Sequence, residues 1–314
     1  MTSASLAEWS NLAVYSSMLV LIAALISFAV SFAARGQRVM SPELVSVGAG
    51  APGPVVAADA PADSLAPGRR AGNIAMALTW LATGLLIVGL VLRGVWAGRV
   101  PWGNMYEFSL AWTLGILAVF LAVSTRRDIR WLGLPVVFLS LLSLGLAVTV
   151  LYTEAAQLVP ALKSWWLVIH VAAAIICGGA FTVAAAISVL YLWRDRAERK
   201  GKVTGIVASL PDASRLDTLS YRILAFAFPL WTFAVISGAI WAENAWGRYW
   251  GWDPKETWAF ITWVIYAGYL HARSTAGWRG RRAAYISLIG FVSFLINYFG
   301  VNIFVNSLHS YAGL

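Results

Sequence analysis

Residues 246–258 read WGRYWGWDPKETW, and the rest of the chain is best read outward from them. Trp246, Trp250, Trp252 and Trp258 fall within this run beside Tyr249, mixed with Arg248, Asp253, Lys255 and Glu256. The second half is a helix start. Asp253 suits an N-cap, Pro254 the first helical position, and Glu256 stands three after the cap, where it closes a capping box. The spacing predicts a helix from about Pro254 that enters the apolar run behind it. Residues 241–252 are then left as an aromatic shelf above that helix, at or beside a membrane surface.

The membrane reading follows from composition. Of 314 residues, 60% are hydrophobic and 12% charged, with mean hydropathy +0.73; soluble domains carry about 25% charged residues. Spans need ~20 apolar residues, and eight segments qualify: 12–34, 72–92, 107–124, 131–152, 164–193, 219–240, 255–272 and 283–305. The expected fold is therefore an all-α polytopic membrane protein of about eight transmembrane helices. Residues 1–34 hold the first helix, 35–71 form an Ala/Pro/Gly-rich flexible cytoplasmic linker, and 72–314 form the main transmembrane domain with its tryptophan-rich loop at 241–258. Residues 194–218 are polar and read as a short amphipathic or irregular loop. The first residues carry Glu8 and no Lys or Arg before a long apolar run, which argues against a cleavable signal. The single cysteine, Cys177, excludes a disulfide framework or a CxxC pair within one chain.

Charge placement sets the orientation. All but Arg93, Arg99, Lys163, Arg248 and Lys255 of the 23 basic residues fall on one side of the eight-span topology. By the positive-inside rule both termini and the aromatic shelf are extracytoplasmic. The net charge of +9 is then a topology signal, and nucleic-acid binding is not expected. Tryptophans are skewed the other way. Of 17 in the chain, only Trp131, Trp193 and Trp278 lie on the basic side. Belt anchoring populates both interfaces, so the skew suggests a planar apolar ligand on the outer side.

The chain has three histidines. His170 lies six residues into the fifth span, about 9 Å below the outer surface at ~1.5 Å per residue. His309 follows the last span, at the same surface. His271 lies roughly 25 Å from that surface, by the same rise per residue. Each has a plainer explanation: a packing histidine, a polar terminal residue and a helix C-terminal partner, respectively. An ionisable group inside a span is nonetheless a functional hypothesis by default. His170 and His309 are the outward imidazoles, and two neutral imidazoles on opposite faces of a macrocycle suit a six-coordinate haem iron. Arg248 or Lys255 then stand where propionates would lie. His271 is too deep to share that site.

The run WGRYWGWDPKETW resembles the "WWD" signature of haem-handling proteins in c-type cytochrome maturation. WWLVIHV around His170, YLHAR around His271, NSLHSYAGL around His309 and VPWGNMYEFS at 100–109 are similar to further segments of its CcsA/ResC branch (CcsB in some bacteria). The resemblance covers most of the chain from about residue 72. It implies a bacterial inner-membrane protein that works with a ResB/CcsB-type membrane partner. Such proteins hold haem b on an outer shelf and present it to the CxxCH motif of apocytochrome c. It implies His170 and His309 as the external iron ligands and His271 as a membrane-embedded one whose mate the partner contributes. Trp246, Tyr249, Trp250, Trp252, Trp258, Arg248 and Asp253 are the expected shelf residues. No catalytic residue is expected, because thioether formation needs placement of thiols and vinyl groups rather than an acid–base pair; the capping box accounts for Asp253 and Glu256. Two other readings stand beside this one: a CcmC- or CcmF-like subunit of the other maturation system, and a transporter of an amphipathic solute, which predicts broken helices and polar mid-membrane groups.

Overall fold

The structure, a computed structural model, describes residues 3–40, 66–155 and 163–309. Among them every regular element is helical: α1 Ser3–Met40, α2 Ala66–Ala97, α3 Met105–Ser124, α4 Gly133–Thr149, α5 Trp165–Arg199, α6 Gly205–Ala208, α7 Ala213–Trp246, α8 Pro254–Thr275, α9 Arg281–Leu295 and α10 Val301–Phe304. A 3₁₀ turn, Arg130–Leu132, leads into α4, and a π-helical turn, Ile296–Gly300, joins α9 to α10. Helix α1 continues to Met40 and α2 starts at Ala66, so of the expected linker only residues 41–65 lie outside the described residues.

Among the described residues seven segments are long and apolar enough to cross a membrane; they contain α1, α2, α3, α4, α5, α7, and α9 with its continuation to Phe304. The seventh of the eight expected spans, α8, falls short in apolarity, because Lys255, Glu256, Tyr266, Tyr269, His271 and Arg273 all lie along it. Its 22 residues still extend about 33 Å. At its start Asp253 meets His309; at its end Arg273 forms a two-pronged ion pair with Asp217 near the start of α7 (2.7 and 2.9 Å). Asp217 also accepts from the Gly280 N–H ahead of α9. Helix α8 therefore runs the full depth of the bundle, antiparallel to α7 and α9.

Helix α5 is the axis of the bundle, with 72% of its apolar window buried against 28% for α1. Small residues allow this. A Cβ on Gly115 of α3 would lie 2.6 Å from the Ile175 carbonyl, and one on Gly179 would lie 2.4 Å from the Gly115 backbone, so α3 and α5 cross in direct backbone contact. Buried hydroxyls join helices elsewhere: Ser188 with Ser220 and Ser287, and Thr262 with Ser293. The polar stretch 194–218, expected as a loop, is mostly helix. The ion pairs Arg194–Glu198 and Arg199–Asp195, four residues apart, carry α5 on beyond its apolar part.

Candidate functional site at the tryptophan-rich end

Two loops at one end of the bundle are built by the same device. At α8 the capping box is present as expected: Asp253 accepts from the Lys255 N–H, and the Glu256 carboxylate accepts from the Asp253 N–H at 3.0 Å. Glu256 also takes the Gly251 N–H (2.8 Å) and Arg248 Nη1 (2.9 Å), which folds residues 248–253 back over the helix start. Trp252 is held in this loop with φ +57°, the left-handed region that a bulky side chain enters only under constraint. At α3, Asn104 caps the helix by accepting from the Glu107 N–H, and Glu107 accepts from the Gly103 N–H at 2.7 Å. Arg93 and Arg99 both pair with Glu107, at 3.0 and 2.6 Å, and the side chains of Arg93 and Glu107 are fully buried. With their carboxylates committed, Glu107 and Glu256 are structural anchors. This agrees with an N-capping role for the acidic pair in the tryptophan run.

Between these loops lies an open cavity of about 1230 Å³, the solvent at its mouth included. His170, His309, Trp102, Trp241, Tyr249 and Trp250 line it, with Lys255, Asn297 and Tyr298. His170 and His309, 139 positions apart in sequence, thus share one cavity. The indole of Trp241 touches both. It stacks on His170 (6.3 Å between centroids, 11° between planes) and meets His309 edge-on at 5.6 Å.

Each imidazole is fixed through Nδ1. His170 Nδ1–H donates to the Ala234 carbonyl on α7 at 2.7 Å, an acceptor that leaves no other tautomer for that bond. The ring lies flat against α7 because residue 238 is glycine; a Cβ there would come within 2.8 Å of His170 Cε1 and Nδ1. His309 Nδ1–H donates to Asp253 Oδ1 at 2.8 Å, and Asp253 Oδ2 accepts from the Leu308 N–H at 3.0 Å. Among the described residues neither Nε2 has a hydrogen-bond partner. Nδ1 held by a carbonyl or carboxylate with Nε2 left open is the arrangement that orients a metal-binding imidazole.

The electrostatics favour neutral imidazole. Burial, followed by the nearby Lys255 ammonium, lowers the His309 pKa to about 4, against the opposing pull of Asp253. Burial works to raise the Asp253 pKa, but hydrogen bonds from Leu308, His309 and Lys255 and the charge of His309 outweigh it, so this carboxyl lies below its ordinary range.

The other expected residues are distributed around this centre. Trp246 packs edge-on against His309 (4.8 Å) and Trp241 (4.8 Å) behind the cavity wall. Trp252 is 64% exposed and meets Trp250 at a right angle, 5.7 Å away. Trp258 is half-buried in the second turn of α8 and lies outside the cavity lining. Arg248 is engaged by Glu256 and covers the Trp246 ring at 5.7 Å. His271 is exposed near the opposite end of α8, close to the Arg273–Asp217 pair, away from the other two histidines. Trp102, Asn297 and Tyr298 are lining residues not singled out as ligands from sequence. Trp102 lies in the 100–109 segment, whose resemblance is carried by the run as a whole. Asn297 and Tyr298 lie in the π-helical turn, which carries no sequence mark and is a form frequent at functional sites.

Comparisons with known proteins agree with one another. The profile of the family described as "Cytochrome C assembly protein" matches residues 102–309, a span that runs from Trp102 to His309. The cytochrome c biogenesis protein CcsA of Guillardia theta is 37% identical over 254 residues, covering 75% of this chain and 84% of its own length. CcsA of Prochlorococcus marinus is 39% identical over 253 residues, covering 72% and 80%. Among solved structures, the cytochrome c haem lyase CcmF superposes with a TM-score of 0.64 at 15% identity. That match covers 95% of this chain and 47% of the CcmF chain, so it speaks to the shared fold. With matches of this extent, the chain belongs to the cytochrome c assembly protein family, as a CcsA-type multi-span membrane protein of cytochrome c biogenesis.

Proposed function

We propose that the cavity at the tryptophan-rich end holds haem b as a substrate, with His170 and His309 as the axial pair, and presents it for attachment to apocytochrome c. The observation that carries this reading is the pair of imidazoles held by Nδ1 in one aromatic cavity, with neither Nε2 hydrogen-bonded among the described residues. Iron bound there would take a lone pair from each Nε2. Ala234 and Asp253 set the tautomers, Gly238 admits the His170 ring, and Trp241 braces both imidazoles. Tyr249 and Trp250 offer rings at the cavity wall, and exposed Trp252 extends the shelf outward.

Thioether formation adds each cysteine S–H of CxxCH across a haem vinyl group. The sulfur bonds one vinyl carbon and the proton ends on the other, with no net change in oxidation state. This needs proximity and orientation rather than an acid or base from this chain, in keeping with Glu256 and Asp253 being committed to the loop. The bias of Lys and Arg toward the opposite end supports an extracytoplasmic cavity in a bacterial inner membrane. A ResB/CcsB-type membrane protein is the expected partner. His271, exposed near the basic end of α8, is available to ligate a second haem in company with a histidine from that partner.

The test is cytochrome c maturation by the protein co-produced with its partner. His170→Ala and His309→Ala should each abolish holocytochrome c, with partial return on adding imidazole. Normal maturation in both variants would overturn the reading.

A further inference from the structure

Among the described residues the cavity lining includes one lysine and no arginine. Arg248, on the neighbouring loop, is taken by Glu256 at 2.9 Å. Lys255 differs. Its ammonium lies 5.9 Å from the Tyr298 ring centroid and, among the described residues, makes no ion pair or hydrogen bond. The nearby Asp253 carboxylate is spent on the His309 imidazole and the Leu308 N–H. In the same lining Asn297 is 6% exposed, and among the described residues its Oδ1 is buried without a partner. A half-buried cation without an anion and a buried amide oxygen without a partner both cost free energy that a ligand can offset.

A porphyrin brings the missing group. Its ring and iron bind to neutral imidazoles and aromatic faces, and its anionic side chains are carboxylates. We propose that Lys255 is the carboxylate receptor of this cavity: its ammonium, with the Asn297 carboxamide, takes one propionate of the bound porphyrin. Arg248 serves the loop instead. The Asn297 amide presents NH₂ or oxygen by a half-turn of its last torsion, so it can donate to the same carboxylate. The inference rests on the haem reading of this cavity and adds a determinant of which porphyrins enter it.

The experiment is a spectral titration of the purified full-length protein, with its partner, by haem and by haem dimethyl ester, in which both carboxylates are masked. The wild type should bind haem about tenfold to a hundredfold more tightly than the diester, the range expected for one charge-assisted contact. Lys255→Gln should lose that preference while binding the diester as the wild type does, which also shows that the cavity is intact. Lys255→Arg should keep most of the preference. A wild type that does not distinguish the two porphyrins overturns the proposal without recourse to a variant. So does a Lys255→Gln protein that still prefers haem; in both cases haem binding itself stands. Failure of the wild type to bind either porphyrin overturns the haem reading and this inference together.

Discussion

Replacing Gly238 with alanine tests the central geometry with a single methyl group. The added Cβ would lie 2.8 Å from two atoms of the His170 ring, inside the ~3.5–4.0 Å at which such atoms pack. Either the ring turns away or α7 separates from α5. Turning the ring breaks the 2.7 Å bond to Ala234 and leaves a part-buried N–H without an acceptor, at up to about 3 kcal/mol. Overpacking costs about 1–3 kcal/mol by itself, and the helix preference of alanine over glycine returns up to about 1 kcal/mol. The net expectation is a loss of roughly 1–6 kcal/mol, with His170 Nε2 displaced from its line into the cavity. Displacement of a reacting group by about 1 Å commonly costs on the order of a hundredfold in activity. The assays are thermal unfolding in detergent and holocytochrome c yield, run beside Gly268→Ala on α8, where a Cβ meets nothing within 4 Å. Gly238→Ala should fail in both while Gly268→Ala stays near wild type. Equal behaviour of the two variants would refute the assignment of residue 238 as the seat of the His170 ring.

Glu107→Ala should destabilise the protein by about 3–5 kcal/mol, because it strands the fully buried Arg93; unfolding in detergent reads this directly, and a loss below about 1 kcal/mol would contradict it. Acid should weaken the haem-free protein in a defined window. His309 has a folded pKa of about 4, below the ~6.5 of free histidine, so above pH ~6.5 both states are neutral. As pH falls from there toward 4, the unfolded chain takes the proton first and stability is lost, by at most about 3 kcal/mol. His309→Gln should flatten that part of the pH–stability curve; an unchanged slope would show that other groups carry it. Asp253→Asn should lower haem affinity about 10–100-fold, the usual cost of losing a partner of a metal-ligating histidine, while α8 keeps an N-cap. Unchanged affinity would remove Asp253 from the role of orienting His309.

How much of this was legible beforehand depended on the range of the interaction. The start of α8 was readable to the residue, because a cap, a first-turn proline and a glutamate three residues on act within one helical turn. Span positions were readable from apolar runs, but their ends were not. Helices α5 and α7 extend beyond their apolar parts through polar residues that local ion pairs and caps support, as Arg194–Glu198 does for α5. That His170 and His309 share one cavity follows the sequence's placing of both toward the outer side. The supports of that pairing were not legible, because Ala234, Gly238 and Trp241 become relevant only through the register of α5 against α7. Within the tryptophan run, composition marked an aromatic shelf but not which rings face the cavity. That depends on loop conformation, such as the left-handed turn at Trp252 and the Glu256 bonds to Arg248, Gly251 and Asp253.

The most direct measurement is low-temperature electron paramagnetic resonance of the ferric, haem-loaded protein with the inner site removed by His271→Ala. The account predicts a low-spin signal from bis-imidazole coordination, turning high-spin in His170→Ala and in His309→Ala and returning to low-spin with added imidazole. A low-spin signal that survives both substitutions would contradict it.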